Sequence, residues 1–247
     1  MTDWCQATVI NNHRWTEKLF SLTISADIEP FVAGQFTKLA LTVNDKRQAA
    51  AYSFVNAPDD NVLEFYLIEV PNGRLSPALM RLELGDTLEI AKQASGFFTL
   101  DDVPKSKQLW MFATGTAIGP YLSILQEQQV WRDYQNIVLV HAVRHQSDLS
   151  YQPLIKVLCR NQQLRYVSIV SRESNAAGLT GRIPALIANG DLAKFVDLSM
   201  SPEDSQFMIC GNPEMVKDTS QVLLDKGYQR NRRSKPGHIT IEQYWSS

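Results

Sequence analysis

Short β-prone runs separated by turn residues fill the first hundred positions. Residues 6–10, 19–24, 36–43, 52–55, 62–70 and 87–91 are rich in branched and aromatic side chains and are bounded by turn formers, which predicts strands. The run 62–70 alternates only approximately between apolar and polar positions, as a strand in a small barrel does. One helix is expected in this half, over 76–82, with Ser76 as its N-cap, Pro77 at the favoured first position and Gly85 beyond its end.

Past Lys105 the pattern changes. Apolar strands are expected at 108–113, 136–143, 164–170 and 205–210. Each leads into a helix: 119–129, 151–160, one from about 183, and 213–226. Residues 238–245 close the chain as a strand. Strand–helix alternation with apolar strands predicts a parallel sheet covered on both faces. The chain therefore divides into a β-rich domain over 1–100 and an α/β domain over 101–247, with the boundary in 101–107. No internal repeat is present.

Composition narrows the classes. Lys plus Arg is 24 against 26 Asp plus Glu, a net charge of −2, which argues against a general nucleic-acid binder. At 44% hydrophobic and 20% charged residues, the 247-residue chain suits a soluble globular protein with a sizeable core. Its most apolar stretch, 109–125, is broken by Gly115, Gly119 and Pro120, so no membrane span is expected. The first six residues have neither a basic stretch nor an apolar core, so no secretory signal is expected. Cys5, Cys159 and Cys210 are scattered, as reduced thiols in the cytoplasm would be. His13, His141, His145 and His238 show no metal-ligand spacing, and no metal is expected.

Chemistry gathers at the predicted strand ends. The turn 113–120, Ala-Thr-Gly-Thr-Ala-Ile-Gly-Pro, follows the first strand of the second half, where glycine lets a backbone approach a phosphate or flat ring. It lacks the G-x-G-x-x-G dinucleotide pattern, and a tight turn with no ligand remains open. Arg144 follows the second strand and Arg172 the third, with Arg182 shortly after. Guanidinium groups converging at one sheet edge suit a ligand with several phosphates, such as a dinucleotide with a 2′-phosphate. Taken singly, each is an ordinary solvated charge. Ser76-Pro77 opens a helix whose free N–H groups suit a pyrophosphate, or is simply a capped helix. Cys210 beside Gly211 reads as a small buried residue. The basic run 229–235 is a solvated loop or a docking site for an acidic protein, and Tyr244-Trp245 is core packing or a platform for a planar ligand.

Together these segments resemble the ferredoxin (flavodoxin)–NADP⁺ reductase family, in its bacterial branch, across essentially the whole chain. Tyr52-Ser53 is similar to the end of that family's Arg-x-Tyr-Ser flavin motif, and the 73–77 segment Gly-Arg-Leu-Ser-Pro to its pyrophosphate turn. Residues 113–120 and 210–213 are similar to its two nicotinamide-side loops, and Glu242-Gln243-Tyr244-Trp245 to its aromatic C-terminus. The resemblance implies a six-stranded antiparallel barrel holding FAD, followed by a parallel-sheet domain holding NADP(H). It implies that hydride passes between NADP(H) and the flavin, with single electrons exchanged with ferredoxin or flavodoxin.

By the same resemblance Tyr52 stacks on the flavin ring with Ser53 near its reactive nitrogen, and Ala50 and Ala51 occupy the first positions of the flavin motif. Tyr66, Arg74, Leu75 and Ser76 hold the rest of the FAD, and Thr116 lines the junction. Val143, Arg144, Ser171, Arg172 and Arg182 take the NADP phosphates, and Asn212, Pro213 and Glu214 the nicotinamide end. Tyr244 and Trp245 cover flavin or adenine, and Cys210 and Glu242 shape the nicotinamide site. The motif's arginine is absent, because its place is taken by Ala50. Weakened FAD retention is expected, with Lys46 or Arg47 reaching across to compensate. A monomer in the cytoplasm, not bound to membrane or nucleic acid, is the expected form. The alternatives are a reductase of free flavin, quinone or dye acceptors, and a non-catalytic nucleotide-binding module.

Overall fold

The computed structural model describes residues 2–243. Its first half is an antiparallel sheet of β1 (Trp4–Arg14), β2 (Leu19–Ser25), β3 (Phe36–Val43), β4 (Lys46–Ser53), β5 (Leu63–Ile68) and β6 (Thr87–Ala91), in the order β4-β3-β6-β1-β2-β5. A bridge between Phe54 and Phe65 brings the two edge strands together, so the sheet curls on itself around Phe20, Leu22, Leu39, Phe54, Phe65 and Ile90. Closing the sheet removes unpaired edges that would otherwise invite pairing with other chains.

The hairpin β3–β4 is longer than the residue pattern predicts. Asn44 and Asp45 both have positive φ, 52° and 58°, as a two-residue hairpin turn of the primed type requires. Residues 46–51, Lys-Arg-Gln-Ala-Ala-Ala, have little intrinsic preference for a strand, and a register pair with β3 at every one of these positions holds them in one. The helix α1 (Ser76–Met80) is shorter than expected, and its N-cap is Leu75. Ser76 Oγ instead accepts from the Val70 N–H at 3.0 Å, which ties the first residue of the helix back to the start of the loop that follows β5.

The second half is a parallel sheet of β7 (Gln108–Thr114), β8 (Asn136–Val143), β9 (Leu164–Val170), β10 (Leu179–Thr180), β11 (Ser205–Gly211) and β12 (Ile239–Gln243), ordered β10-β9-β8-β7-β11-β12. The helices α2 (Gly119–Leu125), α3 (Gln128–Asp133) and α4 (Gln152–Leu158) pack on the face turned to the barrel, and α5 (Ile183–Ala188), α6 (Asp191–Val196) and α7 (Pro213–Asp225) on the other. The single helix expected over 119–129 is two, because Glu127 is extended. Strand order reverses at β7, which places a ligand crevice between the loops that follow β7 and β11.

Polar contacts join the halves. Tyr66 donates to Ser150 Oγ at 2.7 Å and Tyr151 to Glu64 Oε1 at 2.7 Å. From α2, Ser123 Oγ donates to the Asn56 carbonyl at 2.7 Å and Gln126 Nε2 to the Val55 carbonyl at 2.9 Å. Tyr151 has φ 61°, a left-handed conformation uncommon outside glycine, and this turns its ring into the junction with Trp15 and Tyr66.

Candidate active site

The crevice is built from two locked loops. Gly211, which ends β11, has φ 142°, and a Cβ there would lie 2.0 Å from Thr114 Oγ1. Without a side chain at 211, the next backbone N–H, that of Asn212, donates to Thr114 Oγ1 at 2.9 Å. Asn212 Oδ1 accepts from the N–H groups of Glu214 and Met215, which caps α7. Pro213 sits at the start of that helix. The other loop begins at Gly115, whose φ is 55°, and a Cβ built there meets nothing within 4 Å. The position needs glycine for its backbone conformation, and the space beside it is free for a ligand. Thr116 follows, buried.

Cys210 and Glu242 lie side by side, paired in the β11–β12 register, with Cys210 Sγ 3.9 Å from Glu242 Oε2. Burial raises the Glu242 carboxyl to about 7, against a smaller lowering by the thiol contact. Burial and the neighbouring carboxylate both push the Cys210 thiol up, so it stays protonated and inert as a nucleophile. Glu242 also lines a cleft of about 640 Å³ whose other wall is barrel residues, including Phe36, Gly96 and Phe98. Phe36 pairs in register with Ser53, which is buried at the end of β4. Tyr52 is half-buried beside it, and burial pushes its phenol up to about 12.

At the far side of the sheet edge, Arg172 N donates to the Arg144 carbonyl at 3.0 Å and Ser171 N to the Val143 carbonyl at 3.1 Å. Ser171 Oγ adds a bond to the same Val143 oxygen at 3.2 Å. Arg182 stands at the N-cap of α5, and Gly181 N reaches the Val170 carbonyl at 3.0 Å, so all three arginines gather at one edge. Among the described residues none of the three guanidinium groups is tied up in an ion pair.

Residues 8–99 match the oxidoreductase FAD-binding domain family, and residues 111–221 the oxidoreductase NAD-binding domain family. The flavodoxin/ferredoxin–NADP reductase of Escherichia coli K12 is 50% identical over 248 residues, covering 99% of this chain and 100% of that one. That of Buchnera aphidicola subsp. Schizaphis graminum is likewise 50% identical, over 257 residues, with 99% and 100% covered. The chain belongs to the flavodoxin/ferredoxin–NADP reductase family. A solved ferredoxin NADP⁺ reductase from Neisseria gonorrhoeae, with bound FAD and NADP, superposes with a TM-score of 0.94 at 33% identity, covering 99% of this chain and 100% of that one.

Position 50, where the sequence resemblance leads one to expect an arginine, is an alanine in this member of the reductase family. Ala50 and Tyr52 share one face of β4, whereas Ala51 and Ser53 point to the other, by strand alternation. Arg47 is also on the other face, and it is committed to Glu89 at 2.8 and 3.2 Å and to the Trp4 ring at 3.7 Å. Lys46 shares the Ala50 face but lies four residues away, roughly 13 Å along the strand. Arg47 is therefore engaged with β6 and β1, and Lys46 lies at the opposite end of the strand from Tyr52.

Tyr66 is buried, with its hydroxyl on Ser150, while Leu75 and Ser76 are buried in the turn that Arg74 opens. Glu214 lies in the first turn of α7. Tyr244 and Trp245 lie outside the described residues. Sequence reasoning missed the contribution of Phe36 and of residues 93–98 to the cleft, and that of His141 beneath the Gly115 turn. Pairing register determines both, and local pattern carries no signal of it. No helix among the described residues is long and apolar enough to cross a membrane, and no cluster of metal-ligating side chains is present among them.

Proposed function

We propose that this protein transfers hydride between NADP(H) and FAD and exchanges single electrons between FAD and a ferredoxin or flavodoxin. The position of Glu242 carries this reading: one side chain adjoins Cys210 at the edge of the parallel sheet and also lines the cleft against the barrel. Groups bound to the two halves would meet there.

The residues present fit both groups. The cleft volume lies within the ~300–1,000 Å³ usual for cofactor sites, and the space beside Gly115 is open to a ring. Tyr52 offers a flat face and Ser53 a hydroxyl to the flavin, with Ala51, Tyr66 and the 74–76 turn along the rest of the FAD. Arg144, Arg172 and Arg182 bind phosphates, with Val143 and Ser171 shaping the edge that presents them. Thr116 and the 212–214 loop border the nicotinamide end. When bound, FAD supplies a ring that takes a hydride and releases electrons singly.

The chain's own contribution is orientation and charge placement. Cys210 fills the sheet edge with a neutral thiol, and Glu242 holds a proton at its carboxyl up to about pH 7. The exposed basic segment 229–235 favours an acidic carrier. We place the protein in the cytoplasm, with Cys5, Cys159 and Cys210 as free thiols. We propose a monomer, since both halves of the site lie on one chain.

Ala50 favours a second reading in which flavin exchanges readily and free flavin becomes the acceptor. An absorption spectrum of the purified protein before and after anaerobic NADPH tests both. The reductase reading expects a yellow protein whose visible band bleaches. A colourless protein that turns yellow and active with added FAD supports the exchange reading. A protein that neither colours nor consumes NADPH contradicts both.

A further inference from the structure

The register of the parallel sheet sets five residues in one row: Ser168 on β9, His141 on β8, Ala113 on β7, Cys210 on β11 and Glu242 on β12. Residues in register on a parallel ladder point to the same face, here the face turned to the barrel. The row lies directly beneath the two loops of the crevice. Cys210 and Glu242 already belong to the site, and His141 sits on the other side of Ala113.

His141 is completely buried in a strand whose other residues from 137 to 143 are all apolar. Its Nε2 lies 3.0 Å from the carbonyl oxygen of Gly115. A carbonyl only accepts, so Nε2 carries the hydrogen and the tautomer is determined. Nδ1 is then a bare acceptor, buried and with no partner among the described residues. A leucine would fill the position without leaving an unpaired nitrogen. The return for this unpaired nitrogen is the single bond to Gly115.

That bond goes to the head of the turn that borders the crevice. Gly115 has no side chain with which to anchor itself, and its Cα faces open space. We propose that His141 is a positioning residue: through the Gly115 carbonyl it sets the 115–118 turn, and hence the wall against which the nicotinamide ring is aligned for hydride transfer. This rests on the function proposed above. Burial pushes the imidazole down to about 4, so the ring is neutral and the bond keeps one polarity throughout the neutral range.

The test uses the flavin-loaded protein and two variants. His141→Phe fills the space without a donor, whereas His141→Gln carries an amide N–H to about the place of Nε2. The readouts are the rate of flavin bleaching at saturating NADPH, the affinity for adenosine 2′,5′-bisphosphate, which lacks the nicotinamide, and the flavin-to-protein ratio. Loss of one neutral hydrogen bond predicts bleaching about three- to tenfold slower in H141F, recovered in H141Q. Bisphosphate affinity and flavin content should be unchanged in both.

An H141F rate equal to that of the unsubstituted protein overturns the inference. So does a loss shared by the bisphosphate and flavin readouts, or an H141Q variant as slow as H141F. Imidazole ¹⁵N spectra of the unsubstituted protein provide a check independent of folding in the variants. A protonated Nε2 with a bare Nδ1 supports the bond, and the opposite tautomer overturns it. Failure of the unsubstituted protein to bind either NADPH or the bisphosphate would refute the proposed function itself, a result distinct from any of these.

Discussion

The phenolic hydroxyl of Tyr151, at the start of α4, donates to Glu64 Oε1 on β5 at 2.7 Å, from one sheet domain to the other. The same phenolic oxygen accepts from the Ser21 hydroxyl on β2, and Ser21 Oγ in turn accepts from Trp15 Nε1 at 2.7 Å. Burial raises the Glu64 carboxyl and the Tyr151 bond works against that rise. The network links the start of α4 to strands β2 and β5 of the barrel. Tyr151→Phe leaves Ser21 and a half-buried carboxyl short of a partner, and should cost about 1–3 kcal/mol of stability. Denaturant unfolding measures this, and a curve superimposable on that of the unsubstituted protein would contradict it.

Position 50 predicts a gain of affinity. Ala50 shares its face with Tyr52; along β4, Arg47 is engaged with Glu89 and Lys46 stands four residues away. Ala50→Arg restores a cation toward the flavin phosphates. A charge-assisted hydrogen bond contributes about 1.5–3 kcal/mol, so FAD should bind roughly 10- to 150-fold more tightly. Titration of the apoprotein with FAD, followed by flavin fluorescence, reports the constant. No change would mean that Ala50 is not beside the phosphates.

The arginine edge predicts coenzyme choice. Arg172→Ala should raise KM for NADPH several-fold to about tenfold or more while leaving KM for NADH nearly unchanged, because only NADPH carries the 2′-phosphate that a guanidinium grips. Steady-state assays with both coenzymes decide it, and equal increases would remove Arg172 from that role.

Glu242 predicts a pH dependence of stability. The folded protein holds its proton up to about 7, whereas the unfolded chain releases it near the ordinary 4.5. Between those values the folded state binds more protons, so the contribution to stability is complete below about 4.5 and declines as pH rises toward 7. Glu242→Gln should flatten the profile of Tm against pH over that window. An unchanged slope would place the titration elsewhere.

Much of this molecule is written locally. The switch from short strands to strand–helix alternation near residue 105 predicts two sheets of different kinds, because apolar period and turn residues act over a few positions. The arginines at 144, 172 and 182 are legible as an edge cluster for the same reason: Arg144 and Arg172 each follow a predicted parallel strand, and Arg182 comes shortly after the second of them. Local preference fails at 46–51, where alanines and charged residues form a strand only because β3 pairs with them. It also misplaces the cap of α1, since Ser76 finds its partner at Val70.

The sequence by itself determined the element types, the two-domain order and the residues with chemistry to offer. Tertiary structure alone decided which of them meet. Register between strands distant in sequence put Glu242 beside Cys210 and His141 under Gly115, and the left-handed turn at Tyr151 accompanies the placement of its hydroxyl against Glu64 and Ser21. Those relationships depend on contacts between residues as much as 130 positions apart, which no local pattern encodes.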